Sequence, residues 1–175
     1  MLRTLTVILA VFVIIYIGGL FLPTEYKIKR SIVISEPAED IFPYADTLRY
    51  WRDWSVWNKN NDESFAVVYS GPKSGEGAVQ NWYGDSFGSG VFTVTKSINN
   101  EKLSYILSID QETITIWGSI QFNERNGTTK VIWESSLEVE GNLFLRYFGY
   151  FLDGFIAPEV EKSLKGLKDF AERSR

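Results

Sequence analysis

Between Phe65 and Glu140 apolar and polar residues alternate with a period of two, segment after segment. No other feature of the chain constrains its fold as strongly. The segments are Phe65–Ser70, Ala78–Tyr83, Gly90–Ser97, Leu103–Ile109, Thr113–Asn123 and Thr128–Glu140. Only turn signals part them: Gly71-Pro72, Asp85 with Gly88, Asn99-Asn100, Asp110-Gln111 and Asn126-Gly127. Links this short cannot hold a crossover helix, so consecutive strands pair antiparallel. Upstream, Tyr26 to Ile34 (YKIKRSIVI) alternates in the same way and adds a seventh strand.

The alternation also assigns faces. Leu103, Tyr105, Leu107 and Ile109 share one side of their strand, and Ile114, Ile116, Ile120 and Phe122 share one side of the next. Val131, Trp133 and Leu137 do so on the last, with Lys130, Glu134 and Glu138 opposite. A sheet with one apolar face needs a cover. Ser35 as N-cap, with Pro37 and Glu39 in the first turn, predicts a short helix over Ala38–Tyr44. Leu48–Trp57 has aromatics at three-residue spacing and reads as a second short helix or tight turn. Only Leu143–Arg173 makes a long helix, with Phe148, Leu152, Phe155, Val160, Leu164, Leu167 and Ala171 recurring at helical spacing. One long helix against seven strands is expected to leave space between the two layers. The fold class is therefore α+β.

Leu5 to Leu22 (LTVILAVFVIIYIGGLFL) runs without a charge. As a helix it is about 27 Å long, enough to cross a hydrocarbon core. Tyr16 lies near one boundary, where amphipathic rings are favoured. A cleaved signal peptide is the rival reading. The run exceeds an h-region of about 7–15 residues, and no A-x-A-like site follows it. Apolar on every side, it also fits a soluble core helix poorly. The expectation is a transmembrane helix in residues 1–23 and a globular domain in residues 24–175, a single-pass membrane protein. Arg3 on one flank nearly balances Lys27, Lys29 and Arg30, offset by Glu25, on the other, so charge assigns neither side.

With a net charge of −4 the chain has no basic surface of the kind that neutralises phosphates, so nucleic acid is not an expected partner. Cysteine and histidine are both absent. Disulfides, thiolate nucleophiles, zinc–thiolate sites and a Ser-His-acid triad are thereby excluded. No metal and no cofactor is expected. Gly71–Gly77 lacks the Walker pattern and reads as a hairpin connection. Asn126-Gly127-Thr128 matches a glycosylation sequon, but Asn-Gly between two strands reads as a hairpin turn. Asp46, Asp53, Asp62 and Glu63, without fixed ligand spacing, read as solvated surface.

The run Lys29–Phe42 (KRSIVISEPAEDIF) resembles the first strand and helix of the START-like helix-grip superfamily, SRPBCC, which includes polyketide cyclase/dehydrase-like and lipid-transport-like proteins. Leu48–Trp57 (LRYWRDWSVW) resembles its tryptophan-rich second helical turn, and Gly75-Glu76-Gly77-Ala78 with Trp82, Gly84 and Gly88-Ser89-Gly90 its central hairpin. Gly127–Trp133 looks like its last strand, and Arg146–Gly149 with Pro158–Leu164 its gripping helix. The resemblance covers about 150 residues after Pro23. It implies a seven-stranded antiparallel sheet wrapped around a long C-terminal helix. It does not imply one function, because the fold hosts carriers, cyclases, chaperone activators and regulators.

A cavity in such a fold is expected to be lined by Trp54, Trp57, Trp82, Phe92, Tyr105, Trp133, Phe148 and Phe155, set against the plainer reading that each ring is ordinary core. Gln80, Ser135 and Tyr105 share the inward phase and are the expected polar groups that orient a ligand. No catalytic residue is assigned. Three function classes stay open. The first is binding of a lipid or other apolar small molecule by a membrane-anchored domain, which the aromatic-rich cup and the anchor favour. The second is a membrane-associated regulatory or protein-interaction module, for which outward-facing Trp117 is the candidate patch. The third is a cyclase/dehydratase-type enzyme with Tyr105 moving protons.

Overall fold

The computed structural model describes residues 2–110, 114–139 and 143–173; the side chains of residues 2, 144, 145, 148 and 150–153 lie outside the described part. The sequence expectations for residues 111–113 and for residue 140 also fall outside it. An N-terminal helix, α1 (Leu2–Leu20), precedes strand β1 (Glu25–Ile34) and helix α2 (Ala38–Asp46). A 3₁₀ turn, Leu48–Tyr50, runs into the short helix α3 (Trp51–Trp54). Then come β2 (Ala66–Ser70), β3 (Val79–Gly84), β4 (Gly88–Ile98), β5 (Lys102–Ile109), β6 (Ile114–Arg125) and β7 (Thr128–Glu138), followed by α4 (Leu143–Arg173).

The strands form one antiparallel seven-stranded sheet in the order β1-β7-β6-β5-β4-β3-β2. From β2 to β7 it is the meander that the short turns dictate. Asn126 and Gly127, at φ 54° and 71°, make the β6–β7 turn with both central residues left-handed, which Asn-Gly tolerates. β1 closes the far edge by pairing with β7 from Glu25↔Glu138 to Ile34↔Thr129. A bulge between Val94 and Lys96 bends β4.

α2 begins where β1 ends. Ser35 is not its N-cap: Pro37 holds that position without a side-chain cap bond, and the Ala38 amide donates to Glu124 Oε2 of β6 at 2.9 Å. The Ser35 amide instead donates to Glu172 Oε1 of α4 at 3.1 Å. A carboxylate from the sheet thus takes over the task of a local cap. At the other end of α2, Trp51 Nε1 donates to the Ala45 carbonyl at 2.7 Å and Trp54 Nε1 to the Tyr44 carbonyl at 3.0 Å. These carbonyls belong to the last turn of the helix and have no partner inside it. The tryptophan spacing therefore docks α3 onto α2.

Val160, Leu164, Leu167 and Ala171 of α4 bury against Ile34, Ile41, Phe42, Leu103, Ile120 and Val131. Gly166 allows the closest approach there: a Cβ on it would meet the Trp54 carbonyl oxygen at 2.0 Å. The helix of α1 stops at Leu20, short of the expected Leu22; Phe21 and Leu22 turn back on the carbonyls of Gly18 and Gly19. α1 is long and apolar enough to cross a membrane, and it is exposed along nearly all of its length. It touches the rest of the chain through α4, where Tyr147 Oη donates to the Ile15 carbonyl at 2.6 Å.

Candidate functional site: an apolar cavity between the sheet and the helices

A cavity of about 300 Å³ lies between the sheet and the helical layer. Its floor follows the strand register. Gln80, Phe92, Leu107, Ile116, Leu137 and Tyr26 are successive cross-strand partners from β3 to β1, and all six line it. The next row holds Tyr105, Gly118, Ser135 and Ile28. Trp51, Ser55, Trp57, Ile156 and Val160 form the opposite wall, and Phe65, Ser86 and Phe87 close the β3–β4 side.

Gly118 shapes the second row. A Cβ there would lie 2.2 Å from the Tyr105 ring, so the glycine lets that ring lie flat across β6. The Tyr105 hydroxyl thereby reaches β7, where it is 2.7 Å from Ser135 Oγ and accepts from Trp133 Nε1 at 2.7 Å. Phe92 stacks on the other side of Tyr105 with ring centroids 4.5 Å apart. Burial pushes the Tyr105 phenol up from its ordinary value, against the smaller opposing effect of its two hydrogen bonds. The group stays a neutral donor or acceptor at physiological pH. Gly90 acts similarly under Trp82, whose indole would meet a Cβ at 2.2 Å.

Two polar atoms facing this space are unsatisfied. Gln80 Oε1 and Ser55 Oγ are buried without a hydrogen-bond partner among the described residues. Among the described residues the lining includes no Asp, Glu, Lys or Arg. Tyr26 marks the end of the cavity nearest α1. Its hydroxyl donates to the Arg146 carbonyl, and its ring packs on Gly149.

Of the residues singled out from the sequence, Trp57, Gln80, Trp82, Phe92, Tyr105, Trp133 and Ser135 line this cavity. Trp54 does not. It is buried core, its ring centroid 4.9 Å from Trp51 and 6.2 Å from Trp133. Phe155 also does not: it is 70% exposed. Ile156 and Val160, four residues apart, share the inward stripe of α4, and Phe155 is rotated about 100° from Ile156. The side chain of Phe148 lies outside the described residues. The alternation had already marked Leu107, Ile109, Ile116 and Leu137 as inward, and Trp51 belongs to the tryptophan stripe that includes Trp54 and Trp57. Ser55 carried no local signal; it faces the cavity because α3 ends at Trp54.

Asp62 is not solvated surface. It is buried and accepts from Ser64 Oγ at 2.6 Å and from the Ser86 and Phe87 amides at 2.9 and 3.2 Å. The Ser64 hydroxyl, followed by those amides, holds its carboxyl below the ordinary value. Asp62 thus ties the segment before β2 to the β3–β4 turn that carries Ser86 and Phe87.

No family model and no curated protein matches this sequence. Solved structures do. A solution structure from Thermobifida fusca superposes with a TM-score of 0.63 at 15% identity, covering 84% of this chain and 93% of that one. Ara h 8.0201 gives 0.57 at 11% identity over 85% and 99% of the two chains. The Aha1 dimer from Colwellia psychrerythraea gives 0.56 at 21% identity over 83% and 96%. Identities this low establish the architecture alone, the helix-grip fold: an antiparallel seven-stranded sheet closed on a long C-terminal helix.

Proposed function

We propose that this protein is a membrane-anchored binder of an apolar small molecule, with α1 as a single-pass anchor and the cavity as the binding site. The observation that carries the reading is the hollow itself. About 300 Å³ stays open inside a domain rich in aromatic rings, walled mainly by apolar side chains with a few polar ones. Protein interiors otherwise pack to the density of organic crystals. The exposed apolar surface of α1 supports the anchor. Four residues, Phe21 to Thr24, join α1 to β1, so about 15 Å at most of extended chain separates the two elements. The domain then sits at the headgroups and draws its ligand from its own bilayer rather than shuttling it to another.

Native mass spectrometry of the full chain released from phosphatidylcholine nanodiscs tests this. A retained apolar adduct is expected, and Ile116→Trp, which fills the cavity, removes it. A chain that stays empty after lipid extract is supplied contradicts the reading.

One observation favours a second reading, a protein-interaction module. Trp117 stands on the outer face of β6 and is 44% exposed. If Trp117→Ser abolishes capture of a partner while the adduct persists, the outer face is the working surface.

A further inference from the structure

We infer that the ligand is an uncharged molecule of modest size whose one hydroxyl or amide hydrogen-bonds to Gln80 and Ser55. The inference rests on the reading that the cavity is a binding site, and it specifies the guest.

The polar groups of the lining are of two kinds. Tyr105, Ser135 and Trp133 partner one another through two bonds of 2.7 Å. Each already has a partner, and the set has one hydroxyl hydrogen left to donate. Gln80 is 9% exposed and Ser55 3%, yet Gln80 Oε1 and Ser55 Oγ meet no partner among the described residues. A buried polar atom left unmet is costly, so a site with two such atoms favours a guest that meets them. Gln80 Oε1 only accepts; the Ser55 hydroxyl both donates and accepts. A guest hydroxyl or amide N–H satisfies the carboxamide oxygen, and an ether or alkane cannot.

Charge narrows the class further. With no ionic side chain among the described lining residues, a carboxylate or phosphate inside would be desolvated without a counter-charge. Arg146 lies outside the lining but acts electrostatically on Tyr26 at one end of it. Its Nη1 is directed to the Gly19 carbonyl at 3.5 Å and its buried Nε meets no partner among the described residues, so a carboxylate probe is included in the test. Size sets the last limit. A space of about 300 Å³ lies at the lower end of ligand-pocket volumes and suits a chain of about ten carbons or a small ring system better than a whole two-chain phospholipid.

The test uses the full chain in phosphatidylcholine nanodiscs at pH 8, with 1-decanol, decanoate and decane as probes. Tryptophan emission reports binding, since Trp51, Trp57, Trp82 and Trp133 line the cavity. Each affinity is referred to the probe concentration in the bilayer. The expected result is 1-decanol at least about tenfold tighter than decane, the size of one good hydrogen bond, and also tighter than decanoate. Gln80→Met, of similar volume, and Ser55→Ala should each lower the alcohol-to-alkane ratio while melting at or above the temperature of the parent. Decanoate binding tightest overturns the inference. So does a ratio that neither substitution changes, which would mean that water already satisfies both atoms. If a folded chain takes up none of the three probes, the binding site itself is refuted and the inference falls with it.

Discussion

The space between the sheet and α4 has two ends, and they are built differently. Where β1 finishes, Ile34, Ile41, Phe42, Leu48, Phe122, Val131, Leu164 and Leu167 are all buried, and the interior is full. Where β1 starts, Tyr26, Ile28, Ile109, Ile116, Leu137 and Ile156 surround open volume. The sheet and the gripping helix are common to both ends. The full end has a second cover, because α2 inserts Ala38, Ile41, Phe42 and Ala45 between sheet and helix. Among the described residues the open end lacks that second cover, since α2 reaches one end of the grip and α3 only its edge.

Substitutions can break that comparison. Leu164→Ala at the full end should cost about 2–5 kcal/mol, since Leu164 is 2% exposed and the collapsed packing around it leaves a new void. Its counterpart, Ile116→Ala at the hollow end, should cost about 1 kcal/mol, the transfer of lost methyls without a new cavity. Chemical denaturation of both variants measures the difference; equal costs would show that the hollow is closed in solution. Tyr105→Phe comes next. It leaves the buried Trp133 indole N–H and Ser135 hydroxyl without their shared partner and should destabilise by about 1–3 kcal/mol. A proton-transfer role would add loss of turnover to that, whereas a structural role predicts loss of stability alone.

The smallest effect concerns acid. The carboxyl of Asp62 is held below its ordinary value of 3.8 by its hydrogen bonds. A depressed acid contributes stability that is complete above its unfolded value and fades as pH falls through the folded one. The parent should therefore lose order in the segment between Asp62 and Phe87 only below about pH 4, and Asp62→Asn should show the loosened state at neutral pH without that acid step. Hydrogen exchange of the Ser86 and Phe87 amides reports both.

Much of this was legible along the chain because its signals are local. The period of two marked every strand, and the inward phase carried Gln80, Phe92, Tyr105, Trp133 and Ser135 to the cavity side. Trp57 and Trp82 reached the lining too. Trp54 and Phe155 failed for a reason the pattern cannot resolve. A helical stripe fixes a face to within about one residue step of 100°, and α3 and α4 were turned by contacts with α2 and the sheet. The Trp54 indole was claimed by the Tyr44 carbonyl, and Phe155 was left outside by the docking of Ile156. Asp62 was misread because its partners lie on a turn more than twenty residues away.

The amino-acid order alone settled the number of strands, their antiparallel pairing, the single long helix and the apolar N-terminal segment, since each follows from side-chain period, turn chemistry or length. It did not settle which aromatic rings fill the interior and which border empty space. That was decided by α2 wedging into one end of the grip, by Glu124 capping a helix 86 residues away, and by Gly118 letting Tyr105 lie flat. Volume and hydrogen-bond satisfaction are properties of assembled surfaces, and they come into being only when distant segments meet.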